Sequence, residues 1–81
     1  MKNKLIEALG WYGAVAIVGA YALNSFSLIS TQDLLYQLLN FTGAIGIVII
    51  SFYKKAYQPG VLNLIWSFIA FFALLNIVFQ L

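Results

Sequence analysis

The chain has 81 residues, of which 64% are hydrophobic and only 7% are charged. Soluble proteins have about a quarter of their residues charged, so this composition excludes an ordinary soluble domain and predicts one all-α domain embedded in a lipid bilayer. Histidine and cysteine are absent and four lysines give a net charge of only +2, so we expect no metal, no cofactor and no nucleic-acid partner.

Three apolar stretches are long enough to cross the bilayer, since a helix needs ~20 mostly apolar residues to span the hydrocarbon. They cover about 9–29, 34–53 and 61–79. The first break is the turn 30–33, in which Ser30 or Thr31 is a candidate helix cap. The second break contains two lysines and then a Pro-Gly pair, which is a strong sign of a helix boundary. The sequence therefore predicts a membrane-embedded three-helix bundle, a single transmembrane domain over residues 1–81.

The first stretch also has an alternative interpretation. Lys2 and Lys4 precede an apolar run, and the triplet Ala20-Tyr21-Ala22 loosely imitates the cleavage site of a secretory signal peptide. Glu7 and Trp11 interrupt that run, so we favour a retained membrane span.

The positions of the lysines predict the orientation of the chain. Two lysines precede the first span, Lys54 and Lys55 separate the second from the third, and the loop between the first two spans carries only Asp33. Short cytoplasmic loops collect lysine and arginine. We therefore expect a cytoplasmic N-terminus and an external C-terminus.

Three asparagines, one in each span, lie at a similar depth. Counting 1.5 Å per residue from the outer turns places Asn24, Asn40 and Asn76 roughly 5–9 Å below the outer surface. We expect Asn40 to approach Asn24 or Asn76, within one chain or across a dimer. A deeper polar group is predicted on the third span at Asn63, Trp66 and Ser67. These groups either join helices by hydrogen bonds or line a path for a solute, and both interpretations remain open.

Small residues predict where helices pack closely. On the first span they recur on one helical face, and on the second they cluster after Asn40. The candidate packing residues are Gly13, Ala16, Ala20, Thr42, Gly43 and Gly46. Because three helices barely enclose a lumen, these faces predict a homo-oligomer, most simply a dimer.

No ionisable residue lies in the middle of any span, although proton relays and ion pathways usually contain one. Glu7 lies at the inner end of the first span, where Lys2 or Lys4 is its expected partner. The hydroxyl and amide groups have no base or nucleophile partner in the sequence pattern. We therefore expect no catalytic residues and no enzymatic activity.

Three stretches carry a resemblance to known families: GWYGAVAIVGAYALNSF (10–26), LYQLLNFTGAIGIV (35–48) and PGVLNLIW (59–66). Over nearly the whole chain they resemble a family of very small uncharacterised bacterial membrane proteins with three predicted helices. More remotely, the chain is similar to the half-sized SWEET transporters of the MtN3/PQ-loop superfamily, in which two three-helix copies surround a solute site lined by tryptophan and asparagine. Pro59 and Asn63 resemble a proline and an asparagine of their third helix, whereas their Pro-Gln motif is absent here.

The resemblance implies a homodimeric half-transporter for a small uncharged polar solute in the bacterial inner membrane. The alternative is a non-catalytic structural or accessory subunit whose amides only pack helices. Solvent exposure of Asn40 and Asn63 discriminates the two, since a wet cavity favours transport and a dry interface favours the accessory role.

Overall fold

The computed structural model describes residues 4–80, which form three α-helices joined by two short connections. These are α1 (Lys4–Ser25), α2 (Leu34–Tyr53) and α3 (Tyr57–Phe79). The molecule is 42 Å long, which is close to the ~40–45 Å of a bilayer with its headgroups. Each helix is long and apolar enough to cross a membrane. The all-α, three-helix fold predicted from the sequence is confirmed.

The helices differ from the predicted spans at three ends, two of which are N-termini. α2 coincides with 34–53, but α1 begins at Lys4, before the predicted start near Leu9. Lysine and glutamate are good helix formers, so the helix extends through a charged turn that hydropathy alone leaves out. α3 begins at Tyr57, so Pro59 lies inside its first turn. The first four N–H groups of a helix have no intrahelical partner, so proline removes no helical hydrogen bond there.

The third difference is the end of α1, which comes at Ser25 rather than near residue 29. Ser27 adopts a left-handed backbone conformation, with φ of 64°. Its N–H donates to the Asn24 carbonyl at 3.0 Å, and the N–H of Leu28 donates to the Leu23 carbonyl at 2.8 Å. This pair of bonds is the Schellman motif that closes many helices, usually with glycine at the left-handed position.

The same motif closes α2, with a lysine at the left-handed position. Lys55 has φ of 61°, and its N–H donates to the Phe52 carbonyl at 3.1 Å. The N–H of Ala56 donates to the Ser51 carbonyl at 2.7 Å, immediately before α3 begins. The connection between α2 and α3 is therefore a tight turn that fixes them as antiparallel neighbours.

The N-cap of α2 is Asp33, rather than Ser30 or Thr31. Its carboxylate does not bond the first turn of the helix but accepts the backbone N–H of Ser30 at 2.9 Å. Gln37, one turn into α2, donates its side-chain amide to the Thr31 carbonyl at 2.8 Å. These bonds fold the connection between α1 and α2 back against the start of α2.

α2 lies between the other two helices and packs against both, while no Cα atom of α1 lies within 8 Å of a Cα atom of α3. The buried apolar residues are accordingly few, and all but one are alanine: Ala16, Ala20, Ala44, Ala70 and Leu74. Most large apolar side chains face outward, which suits a protein surrounded by lipid tails as apolar as its own side chains. The bundle is therefore open, with α2 at its centre.

The contact between α1 and α2 is a close approach of two backbones. Gly13, Gly43 and Gly46 are buried, and an added methyl group at Gly13 would meet the Gly43 carbonyl oxygen. A methyl group at Gly46 would likewise meet the Leu9 carbonyl oxygen. Ala16 and Ala20 also lie in the buried face of α1. Thr42 differs from the other candidate packing residues because its side chain is exposed.

Two polar contacts also join α1 and α2. Glu7 forms a salt bridge with Lys54, the C-cap residue of α2, at 3.0 Å. Its partner is therefore not Lys4, and the other predicted partner, Lys2, lies outside the described residues. Thr42 donates to the Leu38 carbonyl at 2.7 Å, which leaves the Tyr12 hydroxyl to donate to Thr42 Oγ1 at 2.6 Å. The salt bridge lies at one end of the helix pair, and the hydroxyl pair lies near its middle.

Candidate functional site

Asn40 is the most buried amide among residues 4–80 and lies on the side of α2 that meets α3. Its side chain is 5% exposed. The amide nitrogen donates to the Tyr36 carbonyl at 3.0 Å, one turn back along α2. The amide oxygen accepts the indole N–H of Trp66 on α3 at 3.4 Å. That distance is beyond the usual 2.7–3.2 Å range of an N–H···O bond, so the contact between the helices is weak.

A cavity of about 200 Å³ opens beside this contact, between α2 and α3. We call it the Asn40 cavity. No lining residue is a lysine, arginine, aspartate or glutamate, and the polar groups are amides, hydroxyls and an indole. Its lining residues are Thr31, Tyr36, Gln37, Asn40, Trp66, Ile69, Ala70 and Ala73.

Residue spacing explains why these side chains share one cavity. Tyr36, Gln37 and Asn40 lie at positions i, i+1 and i+4, which share one face of a helix. The α3 residues recur at intervals of three and four, and two of them are alanines that leave space opposite Asn40. The bond from Gln37 to the Thr31 carbonyl draws the glutamine side chain towards the turn. The cavity therefore has an amide floor and a mouth near the connection between α1 and α2.

The Asn40 cavity occupies the half of the bundle nearer to that connection. Asn40 lies six residues after Leu34, or about 9 Å along the helix axis at 1.5 Å per residue. Trp66 lies nine residues after Tyr57, about 13 Å from the opposite end of the bundle. Trp66 thus lies near the middle of α3, and the cavity extends from its indole towards the Asp33 end.

The three asparagines predicted to form one layer do not bond one another within the chain. Asn24 donates its amide to the Ile29 carbonyl at 2.9 Å and stabilises the turn after α1. Asn76 is exposed and accepts a hydrogen bond from Gln80 at 3.3 Å. Because α1 and α3 do not touch, a layer shared by three helices is not formed inside one copy. Within one copy, Asn40 bonds Tyr36 and Trp66 rather than Asn24 or Asn76, and an approach across a dimer stays a prediction.

The deeper polar group predicted on α3, formed by Asn63, Trp66 and Ser67, does not form one site in the structure either. Asn63 donates to the Pro59 carbonyl at 3.0 Å, and Ser67 donates to the Asn63 carbonyl at 2.8 Å. Both side chains therefore satisfy their own helix backbone, a common role for polar side chains in helices. Ser67 lines a separate apolar groove beside Phe41 and Phe71. Of the three predicted residues, only Trp66 lines the Asn40 cavity.

Three lining residues, Thr31, Tyr36 and Gln37, were not among the candidate site residues. The pattern Tyr-Gln-x-x-Asn carried the signal, because it places three polar side chains on one turn of α2. Thr31 has no such signal, since it enters the site through the fold of the connection. Together these groups supply uncharged hydrogen-bond donors and acceptors and two aromatic faces.

Three apolar helices with a polar cavity between two of them define a small membrane protein. The model of a family of small uncharacterised proteins matches residues 6–80, and the chain belongs to this family. Comparisons with curated proteins and with solved structures find no match.

Proposed function

We propose that the chain is a homo-oligomeric half-transporter for a small uncharged polar solute, with no catalytic role. The observation that carries the proposal is the environment of Asn40. This amide is almost completely buried, yet it lines a cavity with Trp66. An amide in hydrocarbon is costly to desolvate, and a cavity beside it offers a reason for its position beyond helix packing.

The solute class follows from the lining. With no formal charge facing it, the Asn40 cavity offers no counter-ion to a charged molecule. Its volume of about 200 Å³ corresponds to roughly six or seven water molecules at ~30 Å³ each. The long Trp66–Asn40 bond costs little to break, and breaking it frees an indole N–H and a carbonyl oxygen for a solute. We therefore assign binding to Asn40 and Trp66, with Gln37 and Tyr36 nearer to the mouth.

The open bundle supports the oligomer in this proposal. α1 and α3 each pack on α2 but not on each other, and Leu35 and Leu38 of α2 stay exposed, so one copy does not enclose a continuous path. A second copy placed against this side completes the lumen, in line with the resemblance to half-sized transporters.

We place the protein in the bacterial inner membrane with its N-terminus in the cytoplasm. The lysines of the described chain lie at one end of the bundle and Asp33 lies at the other, which matches the positive-inside rule. Cysteine introduced as Asp33→Cys should react with an impermeant reagent added outside cells, and Lys55→Cys should not. The reverse labelling pattern would overturn the orientation.

A structural or accessory subunit is the second candidate. Its support is that both ends of the Asn40 amide already have partners, the Tyr36 carbonyl and the Trp66 indole. An amide satisfied in this way contributes ~0.6–2 kcal/mol to helix association without any solute.

Asn40→Leu and Asn63→Leu form a matched pair that separates the two functions. Both asparagines donate to a carbonyl one turn back, but only Asn40 lines the Asn40 cavity. Proteoliposomes containing the full chain would be challenged with glycerol, urea and glucose, and the rate of osmotic volume change measured by light scattering. The transporter predicts faster equilibration of at least one solute than in empty vesicles. It also predicts an about tenfold loss in Asn40→Leu, from the ~1.4 kcal/mol of one hydrogen bond.

Asn63→Leu should retain that flux. Wild-type vesicles as tight as empty ones to all three solutes would contradict this proposal. A normal flux in Asn40→Leu with a lowered unfolding midpoint would favour the accessory role.

A further inference from the structure

A second cavity, of about 310 Å³, lies between α1 and α2 at the opposite end of the bundle from Asp33. We call it the lysine-end groove. Its mouth is charged and its floor is made of small or apolar groups. The lining residues are Glu7, Gly10, Trp11, Ala14, Ile50 and Lys54.

The shape of the groove comes from two small residues on α1. Gly10 and Ala14 follow Glu7 on one helical face at intervals of three and four. Gly10 lies so close to α2 that an added methyl group would be 2.9 Å from Cγ2 of Ile50. The Ile50 side chain therefore fills the space beside Gly10 and forms the floor of a slot, which runs from the Glu7–Lys54 salt bridge past Gly10 to Ala14.

Trp11 forms the outer wall of this slot and is 72% exposed. Its indole N–H makes no hydrogen bond to any described residue. Tryptophan favours the membrane interface, where its ring lies in apolar surroundings and its N–H finds a polar partner. Trp11 lies seven residues after Lys4, about 10 Å along α1, which is a suitable depth for such a partner near the headgroups.

The charge at this end is positive. Lys4, Lys54 and Lys55 lie here with Glu7, which leaves a formal charge of +2, and the remaining described charge, Asp33, is at the other end. Lys54 forms a salt bridge with Glu7, whereas Lys4 and Lys55 have no salt bridge within residues 4–80. A second copy of the chain brought to this surface would present the same positive charge, which disfavours it.

We propose that the lysine-end groove binds an anionic phospholipid. Lys54 contacts the phosphate, the Trp11 N–H donates to a phosphate or glycerol-ester oxygen, and one acyl chain lies over Gly10 and Ala14. This combination fits a lipid because the charged mouth and the apolar slot follow each other along the membrane normal. The inference is independent of transport through the Asn40 cavity.

Quenching of Trp11 by brominated lipid measures occupancy of the groove. The chain has two tryptophans, so Trp66→Phe leaves Trp11 as the only indole. The full-length variant would be reconstituted into vesicles of equal parts phosphatidylcholine and phosphatidylglycerol, with bromine on one lipid or on the other. The two samples then have the same lipid composition and differ only in which lipid carries the bromine. We expect brominated phosphatidylglycerol to show a preference of about fivefold, as expected of one lysine at a membrane surface.

Variants distinguish a specific site from general attraction to the surface. The double change Glu7→Gln with Lys54→Gln keeps the formal charge at +2 but removes the cation of the groove, so the preference should fall to about one. Ala14→Leu fills the slot without changing any charge and should have the same effect. Lys55→Gln removes one charge outside the lining and should retain most of the preference.

Three results would overturn the proposal. Equal quenching by the two labelled lipids in the parent protein would show no selectivity. A preference that survives both the double change and Ala14→Leu would show general attraction to the charged end. Quenching that declines as protein density rises would show that another copy of the chain covers Trp11.

Discussion

The two helix interfaces of this small protein are built in opposite ways. Between α1 and α2, glycines at 13, 43 and 46 bring the two backbones into contact, and a salt bridge and a hydroxyl pair join the same helices. Between α2 and α3, larger groups meet. Phe41 and Phe71 lie 5.7 Å apart between ring centroids, and the Asn40 cavity remains beside the Trp66 contact.

The difference predicts which of the two interfaces rearranges more easily. The α1 and α2 backbones are in direct contact, so these two helices have little room to move against each other. The α2–α3 interface contains aromatic rings and a long hydrogen bond, which can shift at a small cost in free energy. Binding sites are drawn from the less densely packed parts of proteins, and here the polar cavity lies in the interface with larger side chains. We infer that α1 and α2 form the rigid unit and that α3 is the helix able to move against it.

The largest expected effect comes from breaking the glycine contact. Gly46→Leu should destabilise the protein by about 1–3 kcal/mol, because the side chain would have to displace the backbone of α1. Unfolding in mixed detergent micelles, followed by circular dichroism, measures the loss. Gly19→Leu is the matched control, since an added methyl group there has nothing within 4 Å. Equal losses in the two variants would contradict the close α1–α2 contact.

A smaller effect is expected from the hydroxyl pair on the same interface. Tyr12→Phe removes the bond to Thr42 and leaves the ring, so the expected loss is about 0.6 kcal/mol, typical of hydrogen bonds between membrane helices. Tyr21→Phe serves as the control, because Tyr21 is 68% exposed and has no hydrogen bond within residues 4–80. The same unfolding assay compares them. A Tyr12→Phe protein as stable as the Tyr21→Phe protein would mean that the bond adds nothing to helix association.

The smallest change in stability is expected in the looser interface. Ala73→Leu places a larger side chain in the Asn40 cavity, which has room for it. Stability should change by less than about 0.5 kcal/mol, the lower end of what cavity filling commonly contributes, while solute flux in proteoliposomes should be lost. A large destabilisation would show that α2 and α3 are as tightly packed as α1 and α2, and the proposed contrast would fail.

Much of the fold was predictable because the bilayer imposes it. Length and hydropathy predicted three helices, and α2 was placed at 34–53 in agreement with the structure. The ends of α1 were harder to place. Its first turn contains charged residues that hydropathy excludes, and its C-terminus depends on a left-handed serine, for which sequence reasoning expects glycine.

The polar site was predicted in part. Asn40 and Trp66 were both candidates, but depth alone grouped Asn40 with Asn24 and Asn76. Depth says nothing about which faces meet around the bundle axis. Since α2 separates α1 from α3, residues at one level are kept apart, and Asn40 bonds the long side chain of Trp66 instead. The small residues predicted on one face of α1, Gly13, Ala16 and Ala20, are buried in the structure, where small side chains leave the backbone open to approach.

The lack of contact between α1 and α3 has a consequence for biosynthesis. Within one copy, α1 packs only on α2, the segment that follows it directly in the chain, so the hairpin of residues 4–53 can form before α3 leaves the ribosome. The helices can therefore pack in the order in which they are translated, and α3 is the last to join.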